Sequence, residues 1–242
     1  RRLEAAPRPA RVAGYGFQRG AVVGETLRLS QAGLHLGVRT DWGRAELDVP
    51  LLGRFNAANL LAVLTTLLVS DIALDDACRA LACIAPPPGR MQTLGGGAQP
   101  LVVVDYAHTP DALENVLATL REIAAGGRLV CVFGCGGNRD KGKRPLMGAA
   151  ASRGADVVWI TSDNPRNEEP RHIIDDILAG CEGAPRVEPD RARAIFEAIG
   201  EARRGDVVLI AGKGHEDTQE IAGERLPFAD VDVAGRALAA WT

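Results

Sequence analysis

Apolar and amphipathic stretches alternate through the second two thirds of the chain. Residues 101–105, 129–133, 156–161 and 206–211 are short, nearly unbroken apolar runs, the pattern of strands buried on both faces. Between them lie segments with helical punctuation. Thr109 can cap a helix that has Pro110 at its first position and stops at Gly126-Gly127. Further helices are expected at 145–153, 170–179 and 230–240, with Asp190 capping one at 191–203. A short strand at 186–188 and a hairpin around Gly223 complete the set. Strands that alternate with helices in this way predict a mostly parallel, doubly wound α/β sheet.

The front of the chain has a different rhythm. Residues 1 to about 50 read as short strands separated by Gly, as at 18–23, 26–29 and 34–38, after a loose arm around Pro7 and Pro9. An apolar helix at 57–70 follows the loop Gly53-Arg54-Phe55-Asn56, and a second, at 74–83, opens on acidic residues that suit a helix N-terminus. The run Pro86-Pro87-Pro88-Gly89 stops helix formation. It sets the expected boundary, with domains at 1–87 and 88–242.

Composition narrows the classes. The chain has 242 residues, 46% apolar and 24% charged, the ordinary globular mix. The net charge of −3 is no electrostatic footprint for nucleic acid or an anionic membrane surface. The longest apolar stretch, 60–69, is too short to span a bilayer, so no membrane insertion is expected. Five cysteines without a CxxC pair argue against a zinc site or disulfide framework and for small core residues in a reducing, cytoplasmic setting. The chain opens on Arg1 rather than Met, as expected of a piece of something longer. Of its 28 basic residues only three are lysines: Lys141, Lys143 and Lys213.

In doubly wound sheets ligands bind beyond the carboxyl ends of the strands. That rule selects four loops, 105–111, 134–143, 162–169 and 212–217, and all three lysines fall in them. The second loop matches GxxxxGK over 137–143, but Arg144 and Pro145 stand where a P-loop needs Ser or Thr. The dinucleotide pattern GxGxxG fails at Arg139. The loop could still hold an anion through backbone N–H groups, a helix N-terminus and its cations. A Gly-rich turn with a solvated basic edge fits the pattern too. In the third loop Asp163 can hold an ammonium and Arg166 can grip a carboxylate, which suits a zwitterion such as an amino acid. An Asx turn with Arg166 in water is the alternative. In the fourth, Glu216 could hold a second ammonium, and His215 is as readily structural. In the first, Asp105 suits a ribose hydroxyl, a metal-linked water or a helix cap, and His108 could reach a nucleotide. His35 and His172 read as structural.

Taken together, the runs DYAHTPDALENVL, FGCGGNRDKGKRPLMG, DNPRNEEP and AGKGHED, with GRFNAANLLA at 53–62 and PPPGRMQ at 86–92, resemble the Mur ligases in content and order. Within that family they are most similar to the members that add meso-diaminopimelate. The resemblance runs from about residue 50 to the end. It implies an ATP-dependent carboxylate–amine ligase of peptidoglycan precursor synthesis. Such an enzyme activates the D-glutamyl carboxylate of UDP-MurNAc-L-Ala-D-Glu as an acyl phosphate, which the amine then attacks. ATP and Mg2+ are the implied cofactors. The implied fold is a Rossmann-like C-terminal amino-acid-binding domain, 88–242, preceded by the end of a central ATP-binding domain, 1–87.

Residue by residue, Asn56, Arg90, Asp105 and His108 resemble the family's ATP-side positions. Arg139, Asp163, Asn164, Arg166, Gly212 and Glu216 resemble its amino-acid pocket. Lys141, Lys143 and Lys213 remain candidates for anion binding or closure, and no residue is expected to ligate metal. The Asp-Asn-Pro-Arg form is associated with meso-diaminopimelate, whose second ammonium–carboxylate pair gives an arginine something to grip. Asn138 stands where many relatives have Asp. No run of the form TGTNGKT occurs, nor do the UDP-sugar domain and the lysine that the family carbamylates for magnesium, so the chain alone is expected to be inactive. The alternatives are a ligase of this family for L-lysine or a folate-like acceptor, and a non-catalytic amino-acid-binding module.

Overall fold

The computed structural model describes residues 12–124 and 126–242; the arm around Pro7 and Pro9 lies outside them. The chain divides into two compact units, Arg1–Ala85 and Pro86–Thr242.

The first unit is a four-stranded sheet, β1 (Tyr15–Gly16), β2 (Val22–Ser30), β3 (Gly33–Thr40) and β4 (Gly43–Val49), in that order, with helices α1 (Arg54–Val69) and α2 (Leu74–Ala82). The strands expected at 18–23 and 26–29 join into β2, because the break between them is a register shift at Gly24/Thr26 and not a turn. Sequence patterning did not separate out β4, whose exposed positions carry Arg44, Glu46 and Asp48. Helix α1 starts three residues before the expected 57. It buries Ala57, Leu60, Leu61, Leu64 and Leu68 among Val22, Leu36, Val38 and Leu47 of the sheet.

The second unit is built on a six-stranded sheet. Its strands are β5 (Gln92–Gly95), β6 (Leu101–Asp105), β7 (Leu129–Phe133), β8 (Val157–Ile160), β9 (Arg186–Val187) and β10 (Val207–Ala211). The order is β5-β6-β10-β7-β8-β9, all parallel except β5, which runs antiparallel to β6. The crossovers are α3 (Pro110–Ile123), α4 (Lys143–Gly154), α5 (Pro170–Leu178) and α6 (Arg191–Gly200). A hairpin, β11 (Thr218–Ile221) with β12 (Glu224–Pro227), and α7 (Asp230–Ala239) close the chain. Alternate residues of the central strands (Val102, Val104, Val130, Val132, Val208 and Ile210) pack with α6 and α7 in one cluster. The opposite parity is buried as well, so the strands show no polar alternation.

The caps are those the sequence predicts. Thr109 Oγ1 accepts from the Ala112 N–H at 3.3 Å, and Asp190 accepts from the Arg193 N–H at 3.1 Å. Strand β5 was not foreseen: it is a four-residue edge strand, half of whose residues are exposed. No helix among the described residues is long and apolar enough to cross a membrane.

Candidate functional site

The four loops selected from the sequence leave the carboxyl ends of β6, β7, β8 and β10, and hydrogen bonds tie them to one another. Gly137 N–H donates to the Asn164 carbonyl at 2.8 Å, and Gly212 N–H to the Asp105 carbonyl at 3.1 Å. Gly212 holds φ +117, and a Cβ there would lie 2.7 Å from Asp163 Oδ2. Glycine thus permits both the backbone twist and the approach to that carboxylate.

Asp163, Asn164, Lys213 and Glu216 form a polar set on two of these loops. Lys213 is fully buried. Its ammonium donates to Asn164 Oδ1 at 3.0 Å, Glu216 Oε2 at 3.1 Å and the Thr218 carbonyl at 2.6 Å. Asn164 Nδ2 donates to Glu216 Oε2 at 2.8 Å. With three donors engaged and no exposed surface, Lys213 cannot serve as the anion or closure residue proposed from sequence; it fixes Asn164 and Glu216 instead. Burial pushes Glu216 upward. The hydrogen bonds from Asn164 and Lys213 and the charges of Lys213 and Arg166 outweigh it and hold the carboxyl below its ordinary range. Asp163 differs. Burial raises it, Arg191 and Lys213 pull it back, and Glu216 and Asp230 push it further up. Its carboxylate makes no hydrogen bond or ion pair among the described residues, so it is available to a cation.

Arg166 adopts φ +54, the left-handed region that an arginine seldom enters. Its Nη1 donates to the Gly137 carbonyl at 2.9 Å, and its Nε lies 3.3 Å from Glu220 Oε2. Nη2 has no partner among the described residues. Arg139 is exposed on the facing loop: a Cβ on Gly136 would lie 2.9 Å from Arg166 Nη1 and 3.6 Å from Arg139 Cγ. The two guanidinium-bearing chains therefore flank one glycine.

A buried arginine locks these loops together. Arg144, which disqualified the P-loop reading, has no exposed surface. It donates to both oxygens of Glu168 at 3.0 and 3.1 Å, to Asp176 at 2.9 Å and to the Gly136 carbonyl at 3.4 Å. Glu168 also accepts the Asn138 N–H, and Lys141 lies 3.5 Å away. The hydrogen bonds from Arg144 and then Asn138 outweigh desolvation and, with the charges of Arg144 and Lys141, pull Glu168 down to about 2. Asn138, at φ +52, accepts from the Asn167 N–H at 3.1 Å. Lys143 donates to the His108 carbonyl at 2.8 Å.

Three of the four residues assigned to the nucleotide side, Arg90, Asp105 and His108, form a second group. Asp105 is buried, and its oxygens accept the N–H groups of Met91 at 2.9 Å and Ala107 at 2.8 Å. Burial raises its carboxyl, against those two hydrogen bonds and the Arg90 charge. Its first task is thus to fix the segment bearing Arg90 and the loop bearing His108. Arg90 lies over the Tyr106 ring at 4.7 Å, and His108 Nδ1 is 2.9 Å from the Tyr106 carbonyl. Asn56 belongs to the first unit, where its amide donates to the Leu52 carbonyl at 2.8 Å.

Beneath the site, Arg191 and Asp230 are fully buried and paired at 2.7 and 2.8 Å; Arg191 also donates to the carbonyls of Ser162 and Ala211 at 3.3 and 3.0 Å. Sequence reasoning passed over Tyr106, Arg144, Glu168, Arg191 and Asp230. A signal existed for two of them: Arg144 and Arg191 are cations in the first turn of a helix, where the dipole disfavours them unless a carboxylate answers. Among the described residues no group of three or more His, Cys, Asp or Glu could hold a metal ion. All five cysteines are free; Cys131 and Cys135 are buried and pushed up to about 12, while Cys83 is exposed rather than in a core. His35, read as structural, lies 2.9 Å from both Glu46 and Asp48.

Comparison with known proteins finds relatives over nearly the whole chain. Residues 89–214, just over half of the chain, match the family model described as Mur ligase, glutamate ligase domain. The UDP-N-acetylmuramoyl-L-alanyl-D-glutamate--2,6-diaminopimelate ligase of Chromobacterium violaceum is 57% identical over 97% of this chain and 48% of its own length. That of Pseudomonas aeruginosa is 56% identical over 88% and 44%. A solved structure of a ligase of the same name superposes with a TM-score of 0.76 at 40% identity, covering 94% of this chain and 47% of that one. The chain thus spans about half the length of the curated relatives it matches. The matched domain holds the loops at 105–111, 134–143 and 162–169 and the start of the loop at 212–217, and with identity sustained along nearly the whole sequence, the chain belongs to the Mur ligase family.

Proposed function

We propose that the chain supplies the amino-acid-binding part of an ATP-dependent ligase that joins meso-diaminopimelate to UDP-N-acetylmuramoyl-L-alanyl-D-glutamate. The observation that carries this reading is the juxtaposition of an uncommitted carboxylate, Asp163, with an incompletely engaged guanidinium, Arg166, three residues further along a loop fixed by Lys213 and Glu168. meso-Diaminopimelate has two ammonium–carboxylate pairs. One end must present an amine for attack, so the other can be held. Asp163 and Glu216 answer an ammonium, and Arg166 and Arg139 answer a carboxylate. Asn164 and Gly212 shape the pocket between them. ATP converts the glutamyl carboxylate into an acyl phosphate, releasing ADP; the amine then attacks the acyl carbon, and the tetrahedral intermediate expels phosphate and loses a proton to leave the amide. Arg90, Asp105 and His108, with Asn56 of the first unit, are assigned to the nucleotide side, and Lys141 and Lys143 to closure over anions. Mg2+ is assigned to the reaction but to no residue of this chain.

A ligation assay on the full-length protein with meso-diaminopimelate or L-lysine tests this. meso-Diaminopimelate is the expected substrate. Arg166→Ala should cost about 1.5–3 kcal/mol in its kcat/KM, the scale of a charged hydrogen bond. Lysine, which has no second carboxylate, should be a poor substrate and barely affected. Equal use of lysine, or an unchanged kcat/KM in the variant, overturns the assignment.

A further inference from the structure

Residues 218–222 lie beyond the matched family domain, which ends at 214. Four of them nevertheless contact the proposed pocket in register. The Thr218 carbonyl accepts from Lys213 at 2.6 Å. Gln219 Nε2 donates to the Asp163 carbonyl at 2.7 Å, and Glu220 N–H to Asn164 Oδ1 at 2.9 Å. The Glu220 carbonyl accepts the Arg166 N–H at 3.0 Å, and Ala222 N–H donates to the Arg166 carbonyl at 2.7 Å. Arg166 and Ile221 thereby form a parallel bridge that adds the pocket loop to the edge of the hairpin.

We propose that β11 is the strut that presets this pocket, and that Glu220 is a specificity-determining positioning residue for Arg166. The left-handed backbone of Arg166 is costly, and two hydrogen bonds to 220 and 222 hold it there. The side chain is held from two sides, by the Gly137 carbonyl on Nη1 and the Glu220 carboxylate on Nε. Both constraints leave the Nη2 edge for an incoming carboxylate. Glu220 thus orients the guanidinium without touching the amino acid, and its effect falls on substrates that bring a carboxylate to Arg166. The inference rests on the proposed ligation of meso-diaminopimelate.

The test uses the full-length protein with Glu220→Ala and Glu220→Gln. In the alanine variant, KM for meso-diaminopimelate should rise about fivefold, the scale of one half-exposed ion pair. KM for ATP, kcat and the melting temperature should stay at wild-type values. Glutamine keeps an acceptor for Nε and should recover most of the loss. An unchanged KM for meso-diaminopimelate, or a rise shared equally with ATP, overturns the proposal. A wild-type protein that does not ligate meso-diaminopimelate overturns the functional reading instead. The strut is then judged by nitrogen NMR on this chain: the Arg166 Nε–H should exchange slowly in wild type and fast in Glu220→Ala, and equal exchange in the two rejects it.

Discussion

Lys213 shows what a single residue does in this site. An ammonium with no exposed surface costs several kcal/mol to desolvate unless its donors are met, and here Asn164, Glu216 and the Thr218 carbonyl meet all three. Replacing it with Met, of similar length and no charge, leaves Asn164 Oδ1 with only the Glu220 N–H and Glu216 with only the Asn164 amide. Glu216 keeps 35% of its side-chain surface and so part of its hydration. The expected loss lies near the lower end of the range for breaking a buried pair, about 3 kcal/mol in urea denaturation. A loss under about 0.5 kcal/mol, the level of an ordinary surface change, would return Lys213 to the pool of anion-binding candidates. From sequence the three lysines look alike, since all lie in ligand-side loops. Only packing separates a buried strut, Lys213, from the more exposed Lys141 and Lys143.

At the level of elements, the loops after β7 and β8 behave as one piece because Arg144 bridges them through Glu168. That linkage has a pH signature. Glu168 is pulled down to about 2 in the folded chain, from an ordinary value of 4.5. The unfolded chain therefore binds the extra proton first, and stability falls as pH drops through this window. The contribution is fully present above about pH 4.5 and gone below about 2. Glu168→Gln should be less stable at neutral pH and should show a flatter fall between those limits, as read by the denaturation midpoint against pH. Equal slopes in variant and wild type would mean that other carboxylates carry the acid sensitivity. The elements themselves were largely legible. The strands β6, β7, β8 and β10 are continuous apolar runs, and the helices between them carry caps that local chemistry dictates, as at Thr109 and Asp190. The edge strand β5 was not, because a four-residue strand with half its positions exposed gains its identity from its partner. The same holds for the clamp: Arg144 and Glu168 are 24 residues apart, and nothing local reveals that they meet.

Across the whole molecule, the site and the hydrophobic cores divide by unit. The candidate amino-acid ligands, from Arg139 to Glu216, all lie in Pro86–Thr242. The core around β10, α6 and α7 shares no residue with the core around α1 and β3. A ligand stabilises whatever must unfold to release it, by RT ln(1 + [L]/Kd). At a concentration 100 times its Kd, meso-diaminopimelate should add about 2.7 kcal/mol to the stability of the second unit. Hydrogen exchange on the intact chain can resolve where that energy goes. Slower exchange is expected in β7, β8, β10 and the loops at 134–143 and 162–169, with little change in β2, β3 and β4. L-Lysine at the same concentration should protect these segments less, because it brings no carboxylate to Arg166 and Arg139. Protection of equal size in both units would show that binding is linked to unfolding of the entire chain, and the assignment of the amino acid to one unit would then fail. Equal protection by lysine and meso-diaminopimelate would leave the site in place but remove the two arginines from its specificity.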